Sequence, residues 1–158
     1  LEMGIARKIS LTPEGRGHPM YYGKQTVFDA FISHDDEVTH LPAGGVCLAS
    51  NAYTSVQALS ITHQGGVIWA VQYHPEYDLH ELARLIHCRT LKLVGLSFFE
   101  DEADAARYVA RLEALHLDPT RKDLAWQLGI DGDVMNADVR TLEVKNWIEQ
   151  LVLPGLGR

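Results

Sequence analysis

Val67-Ile68-Trp69-Ala70-Val71-Gln72-Tyr73-His74-Pro75-Glu76 decides how the rest of this 158-residue chain is read. Five apolar residues of strand character, Val67 to Val71, give way abruptly to a histidine, a proline and a carboxylate. An apolar run without polar alternation is the pattern of a strand covered on both faces, as at the centre of a sheet flanked by helices. Pro75 disfavours helical dihedrals at His74, so the backbone is expected to stay extended there. In extended backbone, residues two apart leave from the same face, which puts His74 and Glu76 side by side. A carboxylate against one ring nitrogen fixes the tautomer of a histidine and supports the cation formed when it takes a proton. The pair is therefore a candidate base and orienter for nucleophilic catalysis. It equally suits a strand-terminal histidine held for stability, with Glu76 capping the next helix, and spacing alone leaves both open.

Outward from this stretch, the preceding residues read as strands and loops. Ala6 to Leu11 alternates apolar and polar, Thr26 to Ser33 is β-branched and aromatic, and Val46 to Ala49 and Gln57 to Thr62 are short strand candidates. Thr12-Pro13-Glu14-Gly15 is a turn signal, and His63-Gln64-Gly65-Gly66 links two strands as a hairpin. After Glu76 the pattern turns helical. Asp78 is placed to cap a helix with Leu79, Leu82, Ala83 and Ile86 on one face. Asp101 caps a second, with Ala105, Tyr108, Val109, Leu112 and Leu115 in register. Asp118-Pro119 opens a third that Gly129 stops. Asn136 caps a last helix with Val144, Trp147, Ile148 and Leu151 facing inward, ended by Pro154. Strands followed by helices fit an α/β or α+β domain without regular βαβ alternation.

Composition narrows the classes. Apolar content of 46% and charged content of 22% belong to a folded globular protein. A formal net charge of −7 argues against nucleic acid or an anionic membrane as partner. Cys47 and Cys88 sit in apolar settings with no Cys-x-x-Cys spacing, which suggests neither a zinc site nor a disulfide framework. No apolar run approaches the roughly 18 residues of a membrane span, and no signal peptide opens the chain. Leu1-Glu2-Met3-Gly4 does not read as a natural start, so the chain is expected to begin within a longer protein. His34-Asp35-Asp36-Glu37 forms a second polar cluster, readable as an exposed acidic loop, a ligand-contacting segment or a hard-cation site. The remaining histidines show no metal-ligand spacing on a shared helix face, and no metal is expected.

Val71-Gln72-Tyr73-His74-Pro75-Glu76, following a β-rich run, resembles the second signature of the class I glutamine amidotransferase domain. Glu2-Met3-Gly4, Ser33 to Val38, Leu41-Pro42, Leu48 to Asn51 and Gln57-Ala58 are similar to segments of stand-alone, GMP-synthase-like members. So are Asn146-Trp147-Ile148 and Leu153-Pro154. The resemblance covers nearly the whole chain. It implies a flavodoxin-like α/β fold, with residues 1–96 as the C-terminal part of the amidotransferase domain and 97–158 as a helical extension packed on it. It implies that a cysteine attacks the side-chain amide of glutamine, that His74 moves the protons and that Glu76 orients His74. His34, Asp35, Asp36 and Tyr73 are then expected to line the glutamine pocket. No cofactor is implied; the implied partners are glutamine and a synthetase or other ammonia acceptor enzyme, in the cytoplasm.

One part of the family pattern is absent. The nucleophile elbow, Gly-x-Cys-x-Gly, does not occur in this sequence. Cys47 lies between Val46 and Leu48, and Cys88 follows His74 on an expected helix, so neither is expected to act as nucleophile. The simplest expectation is the C-terminal portion of a longer amidotransferase. The chain also lacks a pyrophosphatase-type Ser-Gly-Gly loop and is not a complete GMP synthase. A non-catalytic binding module on the same fold, or a related cysteine hydrolase or peptidase, are the alternatives.

Overall fold

The structure is a computed structural model that describes residues 1–155. The chain packs into two compact units. Leu1–Glu76 and residues 136–155 form one, and Tyr77–Met135 form the other. Packing therefore divides the chain after Glu76 and after Met135, whereas the family resemblance divides it after residue 96.

The first unit is built on five strands, β1 (Glu2–Leu11), β2 (Val27–His34), β3 (Gly45–Ser50), β4 (Ala58–His63) and β5 (Gly66–Val71). They form one sheet in the order β2-β1-β3-β4-β5, with every neighbouring pair antiparallel. The sheet curls until the residues just past β5 meet β2. Tyr73 bridges Ile32, and the His74 amide donates to the Phe31 carbonyl at 2.8 Å. Ile9, Leu11, Phe28, Ile32, Leu48 and Tyr73 fill the inside. A bulge between Ala6 and Ile9 keeps both apolar side chains inward, with Lys8 taking a positive φ of 51°. Asp29 on the neighbouring strand stitches the bulge, accepting from the Lys8 amide and from Arg7, each at 2.8 Å.

Thr12 to Gly15, expected as a turn, closes into a single helical turn, α1 (Pro13–Arg16). The Thr12 hydroxyl accepts from the Gly15 amide, and the Thr12 amide donates to the Leu48 carbonyl, which seats α1 on β3. Pro19–Tyr21 adds a short 3-10 turn.

The strand expected at the centre of a covered sheet is instead the sheet's edge. Val67 and Ile68 are 43% and 55% exposed. Only Trp69 and Val71 pack against the core. Burial on one side is enough to select apolar residues at alternate positions, but nothing among the described residues covers Ile68 and Ala70.

The second unit is helical: α2 (Leu79–Cys88), α3 (Thr90–Gly95), α4 (Glu102–Leu117), α5 (Lys122–Leu128) and α6 (Gly132–Met135). Asp78 caps α2 by accepting from the Glu81 amide, and Asp101 caps α4 by accepting from the Asp104 amide. Leu79, Leu82, Ala83 and Ile86 are buried, as their spacing requires. Asp118 does not begin a helix. Its carboxylate takes both the amide and the hydroxyl of Thr120, and this local turn delays α5 to Lys122. Gly129 ends α5 with a left-handed φ of 62°.

The chain then returns to the first unit through α7 (Ala137–Arg140), α8 (Leu142–Trp147), a π-type turn (Ile148–Val152) and α9 (Leu153–Gly155). Asn136 caps α7, accepting from the Asp138 amide, but the single helix expected from here to Pro154 is broken at Thr141, and Pro154 lies within α9. The expected inward face is reversed. Glu143 and Asn146 are buried, at 3% and 5% exposure, while Val144 and Trp147 stand 39% and 44% exposed. Polar partners decide this orientation. The Asn146 amide donates to the carbonyls of Met20 and Tyr22, each at 2.9 Å, and Glu143 meets Lys24 and Tyr73.

A Cβ at Gly15 would run into the Leu48 carbonyl, whereas one at Gly17 would meet only the Glu14 carbonyl at 3.9 Å. Gly15→Ala is therefore expected to lower the unfolding free energy by about 1–3 kcal/mol. Gly17→Ala should stay within about 0.5 kcal/mol of wild type in the same urea titration.

Candidate active site

His74 and Glu76 meet as their spacing predicts. His74 Nδ1 lies 2.8 Å from Glu76 Oε1. A carboxylate only accepts, so Nδ1 carries the proton in the neutral ring and Nε2 presents a lone pair. The Pro75 side chain is buried, whereas the His74 side chain keeps 28% of its surface. The backbone is held on both sides. The Gln72 amide donates to the Gln57 carbonyl at 2.7 Å, and the His74 amide to Phe31. Asp78, not Glu76, caps α2, so the carboxylate of Glu76 is committed to the histidine.

His34 lies two residues beyond Ile32, the β2 residue that bridges Tyr73. Its Nδ1 is 2.7 Å from the Asp36 carbonyl, to which Gln72 Nε2 also donates at 2.9 Å. The first bond closes the 34–36 loop on itself, and the second pins it against the strand leading to His74. His34 Nε2 faces Glu2 Oε2 at 3.5 Å. The carboxylates of Asp35 and Asp36 stand at the surface.

Glu2, Asn51 and Gln57, which the resemblance includes without giving them a role, join Thr54, which no motif marks, in a network beside His34. Glu2 is buried, and its carboxylate accepts from Asn51 Nδ2 at 2.8 Å, Thr54 Oγ1 at 2.6 Å and Gln57 Nε2 at 2.7 Å. Three donors are what a buried carboxylate needs to offset its lost hydration. Its partners come from segments about 50 residues away, a separation that no local spacing encodes.

Tyr73 points into the core, opposite to His74. Its hydroxyl donates to Glu143 Oε1 at 2.7 Å and lies 3.0 Å from the Tyr21 hydroxyl. Lys24 Nζ completes the cluster, 3.0 Å from Glu143, 2.8 Å from the Val139 carbonyl and 4.6 Å above the Phe28 ring. The lysine and glutamate side chains are 2% and 3% exposed. Burial foremost, with the Glu143 charge adding to it, pushes both phenols well above the usual tyrosine range.

The two thiols occupy other places. Cys47 donates to the carbonyls of Ala49 and Ser55, and burial pushes its thiol up. Cys47 pairs with Leu59, and Leu59 with Ala70. That puts it level with a residue four positions, about 13 Å, short of His74. Cys88 is exposed at the end of α2 in the other unit. Among the described residues no group of three or more His, Cys, Asp or Glu could hold a metal, and no helix is long and apolar enough to cross a membrane.

Comparison with known proteins bears on the same corner. Residues 2–89 match the family model described as glutamine amidotransferase class-I. The chain is similar to a gamma-glutamyl-L-1-hydroxyisopropylamide hydrolase of a Pseudomonas species, 32% identical over 155 residues. That match covers 97% of the chain and 52% of the relative. It is also similar to a glutamine-hydrolyzing GMP synthase of Thiobacillus denitrificans, 33% identical over 88 residues, covering 52% of the chain and 15% of that protein. The chain thus spans about half the length of the first of these relatives.

The geometry has two consequences that can be measured. Thiol modification should be biphasic at pH 8, with Cys88 the faster thiol because it is exposed, whereas Cys47 is half-buried and its thiol is pushed up. A single phase accounting for both thiols would contradict this placement. Tyr21 and Tyr73 are raised in the folded state relative to about 10 when unfolded. Their contribution to stability is therefore fully present below about pH 10 and is lost as pH rises above it. Denaturant titrations between pH 8 and 11.5 should show this decline, and Tyr73→Phe should make it shallower.

Proposed function

The chain belongs to the class I glutamine amidotransferase family, and on that footing we propose that it supplies the base and the orienting carboxylate of a Cys-His-Glu glutaminase site. The observation that carries this reading is the 2.8 Å contact between His74 Nδ1 and Glu76 Oε1 just past the end of β5. The nucleophilic cysteine comes from polypeptide outside these 158 residues. Its proton passes to His74 Nε2, and the thiolate attacks the side-chain amide carbon of glutamine. The imidazolium, supported by Glu76, then gives the proton to the leaving nitrogen, so ammonia departs and a glutamyl thioester remains. Water, activated by His74, hydrolyses the thioester to glutamate and restores the thiol. The ammonia passes to an acceptor enzyme or domain.

In this reading the pinned 34–36 loop supports the glutamine pocket. The carboxylates of Asp35 and Asp36, at the surface beside that anchor, provide the negative charge that the α-ammonium of glutamine requires. Tyr73 contributes from behind, by fixing the backbone rather than by touching substrate.

A second reading differs only in the leaving group. The match across 97% of the chain is to a gamma-glutamyl amide hydrolase. The same pair would then expel a substituted amine instead of ammonia, with water as the only acceptor. A panel of glutamine and γ-glutamyl alkylamides, offered to the protein together with its nucleophile-bearing part, separates the two by relative kcat/KM.

His74→Ala in that complete protein should lower turnover by about 10²–10⁴-fold with the fold intact by circular dichroism. Unchanged turnover would remove His74 from the mechanism; a non-catalytic module would show no turnover even in the wild-type protein. The 158-residue chain alone should release no ammonia at saturating glutamine.

A further inference from the structure

The family match ends at residue 89, yet residues 136–155 fold back into the unit that carries His74. The place where they dock is specific. Side chains alternate along extended backbone, so Tyr73 and Pro75 face one way and His74 the other. Tyr73 is held by the Glu143 carboxylate of α8 at 2.7 Å. Pro75 lines a cavity of about 300 Å³ together with Val144 and Trp147 of the same helix. The helix thus holds the residue before the histidine directly and shares a cavity with the residue after it. The His74 amide is fixed to Phe31 from a third direction.

The helix is itself latched in place by polar contacts. Asn146 binds the carbonyls of Met20 and Tyr22. Lys24 Nζ holds Glu143 and the Val139 carbonyl together. Polar partners turned Glu143 and Asn146 inward and left Val144 and Trp147 half-exposed, the reverse of what apolar spacing favours. An ordinary packing helix would bury its tryptophan.

We propose that the C-terminal segment 136–155 is a brace for the active site, with Glu143 as a positioning residue that fixes His74 through the Tyr73 hydroxyl. The inference rests on the reading of His74 as the proton carrier. Glu143 touches no substrate. It sets where the imidazole sits by holding the residue before it.

Amide hydrogen exchange on the 158-residue chain tests the brace without any substrate. Tyr73→Phe removes the phenolic link and leaves the Lys24–Glu143 pair intact. Lys24→Met combined with Glu143→Leu removes the charges together and avoids stranding one of them in the core. In both variants the His74 amide should exchange about tenfold faster than in wild type, the scale of one lost hydrogen bond, while the amides of the β1–β2 ladder change by much less. A uniform acceleration of His74 and the ladder, or no acceleration of His74, would overturn the proposal and leave the cluster a structural one. In the complete enzyme, Tyr73→Phe should lower kcat with KM unchanged; a change in KM alone would also overturn it. A His74→Ala enzyme that keeps its turnover would overturn the glutaminase reading, but not the brace, which the exchange data read independently.

Discussion

Between Gln72 and His74 the backbone changes neighbours. The Gln72 amide still bonds Gln57, next to β4, while the His74 amide bonds Phe31 on β2. This hand-over closes the curled sheet and sets where three side chains stand. The end of β5 presents His74 outward, β2 carries His34 level with Val71 and beside Glu2, and Tyr73 turns inward where α8 can hold it. Without the switch of partner, the His-Pro-Glu sequence would sit on a free strand end and Glu76 would have no fixed imidazole to orient.

Two buried carboxylates secure this corner, each in its own way. Glu2 is satisfied by three neutral donors and the nearby His34 ring. Glu143 is satisfied by Lys24 and a phenol. Buried charges cost free energy unless every oxygen is partnered. Both networks are therefore demanding of geometry, and removal of one partner from the Lys24–Glu143 pair would cost about 3–5 kcal/mol. That sensitivity suits groups that locate a site. It ties the first residues of the chain and the last described ones to the strand that carries the histidine.

The strands, the caps at Asp78, Asp101 and Asn136, and the stop at Gly129 were legible because each depends on residues within a few positions of one another. The His74–Glu76 contact was legible for the same reason, since an extended backbone and a proline nearly determine it. The exposure of β5 was not legible, because an apolar run does not say which of its faces is covered. The inward Glu143 and Asn146 were hidden because their partners, Lys24, Tyr73 and two carbonyls at residues 20 and 22, lie far away in sequence. Asp118 misled because an aspartate two residues before a threonine closes a local turn as readily as it caps a helix. The role of Tyr73 changed most. Beside a triad histidine it reads as a pocket wall, but alternation along the strand sends it into the core.

The central claim is that Glu76 holds the His74 ring in the form that can accept a proton at Nε2. Long-range proton–nitrogen correlation spectra of the ¹⁵N-histidine-labelled chain measure this directly. The account predicts a neutral His74 with Nδ1 protonated and Nε2 bare, and a loss of that preference in Glu76→Gln. A neutral His74 that carries its proton on Nε2, or that averages between tautomers as an unrestrained imidazole does, would contradict it.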